Sequence, residues 1–477
     1  MSGPLWTREE IAAATRGWIT DDLSPVSGIS IDTRTLARGD LFFAIKGDAR
    51  DGHDFVKDAL GKGAAAAVVA GKRAPDFADC GTLVVVPDVL QAMRDLAGRA
   101  RARAGGQIIA VTGSVGKTGT KEAMRLVLSR QGATHASAAS YNNHWGVPLT
   151  LGRMPQDSVF GVFEIGMNHT GEIAPLTRLV RPHVAVITTV EPVHIEYFRS
   201  IWSIADAKGE IFAGLEPGGA AVVNRDSPYY ERMRAHAAAS PAGRILTFGE
   251  HAEADVRAER IILKADMSIV EARVLGTPVV YRLGTPGRHV AMNSLSILAS
   301  VKAVGGDLAL AALALADLKP PIGRGERTVL QGGGGAFVLI DESYNANPAS
   351  MRAALATLGQ SEPGFRGRRV AVLGDMLELG PEGPALHRDI ADSIAANRVD
   401  LVFAAGPLME NLIEALPRER RGGYAGAAAD LEGAVLKALR AGDVVMVKGS
   451  NSIRMGHIVK ALKERFAGHP KTAATRG

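Results

Sequence analysis

The sequence predicts an α/β protein of three domains: a small N-terminal α/β unit, a central parallel-sheet unit with an added β meander, and a C-terminal Rossmann-like α/β unit. Three observations predict it. At 477 residues the chain is too long for one ordinary hydrophobic core. Short apolar, β-branched runs ending in glycine or polar loops alternate with helical periodicity, the pattern of parallel strands covered on both faces. Between about residues 254 and 283 the pattern becomes β-type alternation, a meander added to the middle unit. The divisions fall at 1–105, 106–322 and 323–477.

The first unit reads as the strands ISIDT, DLFFAIKG, AAAAVVAG and TLVVVPD between glycine turns, closed by a basic helix through Arg99 and Arg103. In the middle unit, VFGVFEIG, HVAVITTV and GGAAVVN are full apolar runs. In the third, FVLIDESYN, RVAVLGDM, DLVFAAG and DVVMVKGSNS are strands that end in polar clusters, and ligands of such sheets bind at the carboxyl ends of strands. The glycine run before FVLID reads as a turn.

Composition narrows the class. Hydrophobic content is 46 % and the single cysteine, Cys80, excludes an intrachain disulfide and suits a reducing compartment. The opening MSGPLWTREEIAAATRG has no basic-then-apolar leader, and no segment has the unbroken apolar length of a membrane span. A cytoplasmic monomer away from the membrane is expected. The net charge of +5 is spread without Lys/Arg blocks or interleaved aromatics, which argues against a nucleic-acid partner and suits a polyanionic small substrate.

The most informative stretch opens the middle unit: QIIAVTGSVGKT, residues 107–118. Ile108, Ile109 and Val111 form the strand, the chain passes Gly113 and Gly116, and it closes on Lys117 and Thr118. Helical periodicity follows, with Ala123, Met124, Val127 and Leu128 on one face and Gly132 as the stop. Such a loop, here Gly113, Ser114, Val115, Gly116, Lys117, Thr118 and Gly119, cradles phosphate with its backbone N–H groups and the positive end of the helix. Lys117 neutralises anionic oxygens, and Thr118 can offer its hydroxyl to magnesium. Val111 stands where the common form of the motif has its first glycine.

Other residues invite chemistry less sharply. Glu164 ends a strand beside the P-loop strand, where a magnesium ligand is needed. His194, in TTVEPVHIEYF, reads alone as a core or surface histidine, and Lys208, in SIADAKGEIFAGL, as a solvated helix lysine. Asn142 and Asn143, in YNNHWGVPLTL, are amides able to donate to phosphate or substrate oxygens, although an Asn-rich turn is their commoner fate.

The T-G-S-x-G-K-T loop resembles that of the Mur ligases, ATP-dependent amide ligases that build the peptidoglycan peptide, and the resemblance runs in order through nearly the whole chain. It implies ATP as nucleotide, two magnesium ions, and Glu164, His194 and Lys208 as metal ligands with Thr118. Lys208 would be carbamylated, turning a cation into a carboxylate-like ligand. Asn143 would join the catalytic set. Asn293, in GRHVAMNSLSIL, would contact adenine, with His289-Val290 in place of the usual His-Asn pair, and Arg324 would reach the nucleotide from the domain junction.

IDESYNANPASM looks like the I-D-D-S-Y-N-A-N-P segment of the member that adds D-alanyl-D-alanine to UDP-N-acetylmuramoyl-tripeptide. Glu342 replaces the second aspartate, so a ribose or phosphate role could pass to Asp341. Tyr344, Asn345 and Asn347 would fix the dipeptide and the nucleotide edge, with Lys448, Ser450 and Arg454 from VKGSNSIRM. VLGDMLELG (Asp375, Glu378) followed by His387 completes the match. Asp32, Arg34 and Lys46, in SIDTRTLARGDLFFAIKGDARDGHDF, would contact the uridine diphosphate. Rival readings are another amino-acid-adding ligase, a folate polyglutamating ligase, or a P-loop switch whose triphosphate controls partner binding. The Y-N-A-N-P segment speaks against the first two, and a switch has no use for a large third domain.

Overall fold

The computed structural model describes residues 3–138, 140–193, 195–332 and 334–466. Its strands form three sheets of five, nine and six strands, in chain order. In the first, Gly28–Ser30, Asp40–Phe43, Ala66–Ala70 and Leu83–Val86 run parallel, and Trp18–Ile19 closes the edge antiparallel. The helix Val89–Arg103, capped by the Asp88 carboxylate on Gln91 N, leads out of this unit. Its basic end is a fastening. The Arg103 guanidinium stacks 3.6 Å over the Trp6 ring and donates to Leu5 O and Glu10, while Arg101 donates to the Val180 and Arg181 carbonyls of the middle unit.

The nine-stranded sheet places the P-loop strand Gln107–Thr112 between Val184–Ile187 on one side and Phe160–Glu164 on the other. The chain therefore departs from this strand in both directions, and a crevice opens at the strands' carboxyl ends. Beyond Val184–Ile187 come Ala220–Asn224, Arg244–Gly249 and Val256–Leu263, then Ser268–Val274 and Thr277–Leu283, joined antiparallel as the meander. Residues of the helix Arg288–Ala303 and the P-loop helix Lys117–Ser129 share one core with that sheet face, and the expected face residues Ala123, Met124, Val127 and Leu128 are all in it.

The third sheet runs Glu326–Gly332, Gly335–Glu342, Val444–Lys448, Arg369–Gly374, Leu401–Ala405, Arg421–Ala425, parallel except for the first strand. Gly335–Glu342 and Val444–Lys448 are neighbours, so the D-E-S-Y-N and K-G-S-N-S loops leave the sheet side by side. The central strands coincide with the long apolar runs of the sequence. The strands it does not announce are mostly at edges: Trp18–Ile19, half-buried Thr134–Ala136, Glu326–Gly332, and Arg421–Ala425 with two glycines. Their ladders are set by neighbours rather than by their own β propensity.

Candidate active site

The P-loop is shaped by what surrounds it. At Gly113 (φ 150°) a Cβ would lie 1.9 Å from Thr188 Oγ1, and at Gly116 (φ 89°) 2.4 Å from Asn293 Nδ2. Only glycine fits either place. Ser114 Oγ donates to Glu191 O at 2.9 Å and accepts from Glu191 N at 2.8 Å, and Thr188 Oγ1 donates to Val115 O at 2.7 Å. The loop is thus pinned to the strand end Val184–Ile187. Lys117, first residue of the helix, donates to Gly113 O at 2.6 Å. Burial pulls its ammonium below the ordinary lysine range, with Glu164 acting against the shift.

Glu164 is buried at the end of its strand. Its Oε2 accepts from Thr118 Oγ1 at 3.0 Å and its Oε1 from Asn142 Nδ2 at 2.8 Å. A hydroxyl and a carboxylate this close, at the mouth of a phosphate cradle, are the hard oxygen donors that a divalent cation bridging phosphates requires. Among the described residues no group of three or more His, Cys, Asp or Glu could hold a metal alone, so a cation here would complete its shell with phosphate and water oxygens.

These residues open into a cavity of about 620 Å³ between the middle and third units. Ser114, Val115, Gly116, Lys117, Thr118, Gly119 and Glu164 line it from one side, Asn293 and Arg324 from the junction, and Glu342, Tyr344, Asn345, Asn347 and Lys448 from the other. The Arg324 guanidinium lies 4.1 Å over the Tyr344 ring. Buried Lys448 donates to Asn345 O at 3.0 Å and Glu342 Oε2 at 3.3 Å, and burial pulls its ammonium down against the pull of Glu342. Asn347 caps the helix Pro348–Gly359, its Oδ1 accepting from Ser350 N.

Several expected residues lie elsewhere. Asn143 does not line the cavity; its Oδ1 accepts at 2.9 Å from Gly146 N, the first residue of the helix Gly146–Gly152, while Asn142 lines the site. Asp341 is spent on Ser343 N and Oγ, at 3.0 and 2.6 Å, so the cavity-facing carboxylate is Glu342. Ser450 accepts from Leu377 N, and Arg454 sits at φ 60° ending a turn; neither lines the cavity. Asp375 accepts from Met409 N, and His387 accepts from Met376 N, both buried inside the third unit. On the first unit Arg34 pairs with Asp32 and Lys46 is exposed, and none of the three lines the cavity.

His194 lies outside the described residues. Lys208, on the helix Ile201–Gly209, is not the solvated lysine that composition implies: it is 3 % exposed, and no described residue pairs with it. Burial, with the charge of Lys117, pulls its amine well below the ordinary lysine range. His289, expected only as part of the His-Val pair, also lines the cavity, where desolvation pulls its imidazole down. Its spacing from Asn293, four residues on one helix face, was the available signal.

Three family models match the chain: "Mur ligase family, catalytic domain" over 25–101, "Mur ligase middle domain" over 111–301, and "Mur ligase, glutamate ligase domain" over 323–451. The UDP-N-acetylmuramoyl-tripeptide–D-alanyl-D-alanine ligase of Escherichia coli K12 is 34 % identical over 92 % of this chain and 94 % of its own length. That of Bacillus subtilis is 31 % identical over 96 % of this chain and 98 % of its own. A crystal structure of MurF from Acinetobacter baumannii superposes with a TM-score of 0.83 at 28 % identity, over 96 % of this chain and 99 % of that one. A P-loop unit facing a third sheet across one cavity, matched end to end by these relatives, makes this chain a member of the Mur ligase family.

Proposed function

We propose that this chain joins D-alanyl-D-alanine to the free carboxylate of UDP-N-acetylmuramoyl-tripeptide, consuming ATP, in cytoplasmic peptidoglycan precursor synthesis. The observation that carries the reading is the shared cavity. The phosphate cradle of the middle unit and the Tyr344, Asn345 and Asn347 loop of the third line one space, so nucleotide and incoming amine can meet over one carboxylate.

In the reaction a carboxylate oxygen of the tripeptide attacks the γ-phosphorus of ATP, and the bond to the bridging oxygen breaks to release ADP. The dipeptide amine then attacks the acyl-phosphate carbonyl, loses a proton, and phosphate leaves. Lys117 and the loop N–H groups hold the phosphates and stabilise charge on the group in transfer. Thr118 and Glu164 would hold a magnesium ion, which supplies positive charge to the phosphate oxygens when bound. His194 and a carbamate on Lys208 are the proposed ligands of a second ion; a buried neutral amine is the form that adds carbon dioxide, releasing one proton. Arg324 and Asn293 bracket the nucleotide. The first unit takes the uridine-diphosphate end, with Asp32, Arg34 and Lys46 as its proposed contacts, and the enzyme works as a monomer.

Mass spectrometry of reactions containing ATP, the nucleotide tripeptide and D-alanyl-D-alanine tests the reading. The expected product is tripeptide plus dipeptide less one water. Absence of that product, with steady ATP hydrolysis lacking both substrates, would instead point to a triphosphate switch.

A further inference from the structure

Lys121 has no exposed surface, and it lies one helical turn beyond Lys117. A cation near a helix N-terminus opposes the helix dipole, and a buried one forfeits its hydration. Two acceptors compensate it: Nζ donates to Ser137 O at 2.7 Å and to Glu122 Oε1 at 2.6 Å. Burial pushes the Glu122 carboxyl up, but hydrogen bonds from Lys121 and Arg125 outweigh it and keep the group ionised. Phosphate binding by the loop gives this lysine no task.

Ser137 directly follows the strand Thr134–Ala136. Farther along the same segment, Ser140 Oγ lies 3.3 Å from Thr118 Oγ1, and Asn142 Nδ2 donates to Glu164 Oε1 at 2.8 Å. Asn142 O also accepts from Gly166 N at 2.8 Å. Ser140 and Asn142 therefore touch both oxygen donors of the cation site. Lys121 ties Ser137 to the helix that carries Thr118.

We propose that Lys121 is a positioning residue, fixing Ser137 on the P-loop helix so that Ser140 and Asn142, farther along the chain, orient Thr118 and Glu164 toward a phosphate-bound cation. The long stem spans from helix to strand end, and the three ammonium protons serve both acceptors at once. The inference rests on the functional reading only for what the oriented oxygens finally do.

Two variants test it, Lys121→Met, which keeps bulk and removes the donor, and Lys121→Gln, which keeps a donor. Magnesium titrations of nucleotide binding by calorimetry, and hydrogen exchange across 137–143, are the readouts. In Lys121→Met the half-saturating magnesium concentration should rise by about 10- to 100-fold and exchange should quicken in that segment. Lys121→Gln should fall between it and the parent. In an Asn142→Ala background the same change should add little, because both act through one segment. Unchanged exchange and magnesium dependence in a folded variant, or fully additive penalties, would overturn the proposal. So would failure of both variants to fold, which would make Lys121 a core support alone. Neither readout needs product formation, so a wild type that makes no peptide bond would discredit the ligase reading separately.

Discussion

At the scale of single residues, two lysines near the P-loop carry opposite expectations. Lys117 has one short bond, to the carbonyl of Gly113, so Lys117→Ala should abolish turnover with little change in unfolding temperature. Parallel rate and melting measurements check both halves. Lys208 is buried without a described partner. Its amine has a folded-state pKa below its unfolded value, so below the unfolded value the unfolded chain binds more protons and unmodified Lys208 costs stability. Lys208→Met should therefore lose activity yet, compared with wild type freed of carbon dioxide, melt higher at neutral pH, by about 2–4 °C per kcal/mol relieved. The gain should fade as pH rises toward the ordinary lysine range; a gain that grew with pH would contradict it. Lys208→Ala should regain part of its activity with a short carboxylic acid, whereas Glu164→Ala, vacating a strand end clasped by Thr118 and Asn142, should not. The glycine-lysine-threonine chemistry was legible because its spacing is local. The choice of Asn142 over Asn143 was not, since it depends on which amide turns back onto the N–H of Gly146 and which faces the cavity.

Among elements, the helix Pro348–Gly359 joins stability to specificity. Asn347 both caps it and lines the cavity. Asn347→Ala should cost about 1 kcal/mol as a lost cap and also raise the KM for D-alanyl-D-alanine. Asn347→Ser keeps a capping oxygen and should separate the effects, restoring the melting temperature while the KM for the dipeptide stays raised by a larger factor than that for ATP. Equal KM changes for both substrates would remove Asn347 from dipeptide recognition. Long buried strands such as Gln107–Thr112 and Val444–Lys448 were readable as apolar runs because both faces are covered. The strand Arg421–Ala425 was hidden by its glycines. The capping of this helix by Asn347 was present in the sequence as an Asn-Pro pair, but its place in a cavity shared with a distant unit was not.

At the scale of the molecule, the cavity has walls from two units, and neither wall alone encloses it. Steady release of ADP should therefore require the nucleotide tripeptide and the dipeptide together. Coupled assays omitting each in turn check this, and undiminished ADP release without either would contradict a closed, shared site. The order of the three sheets was legible from alternation of strand and helix patterns. What no local pattern disclosed was how the first unit meets the second, because that junction is made by single side chains such as Trp6, whose indole N–H donates to Gly152 O at 2.9 Å.

That junction reaches further than a hinge. Leu149 belongs to the hydrophobic core of the first unit, and Tyr141 and Trp145 pack against it. These three flank or follow Asn142, the amide that holds Glu164. A chain beginning at residue 106 would lose the apolar bed on which that segment rests. The middle unit is thus no free-standing motor: the seating of the segment that holds Glu164 is borrowed from the first unit. If the sugar nucleotide seats on the first unit as proposed, its binding would stiffen the ground under the phosphate chemistry, so the tripeptide substrate would act as a tensioner as well as a reactant.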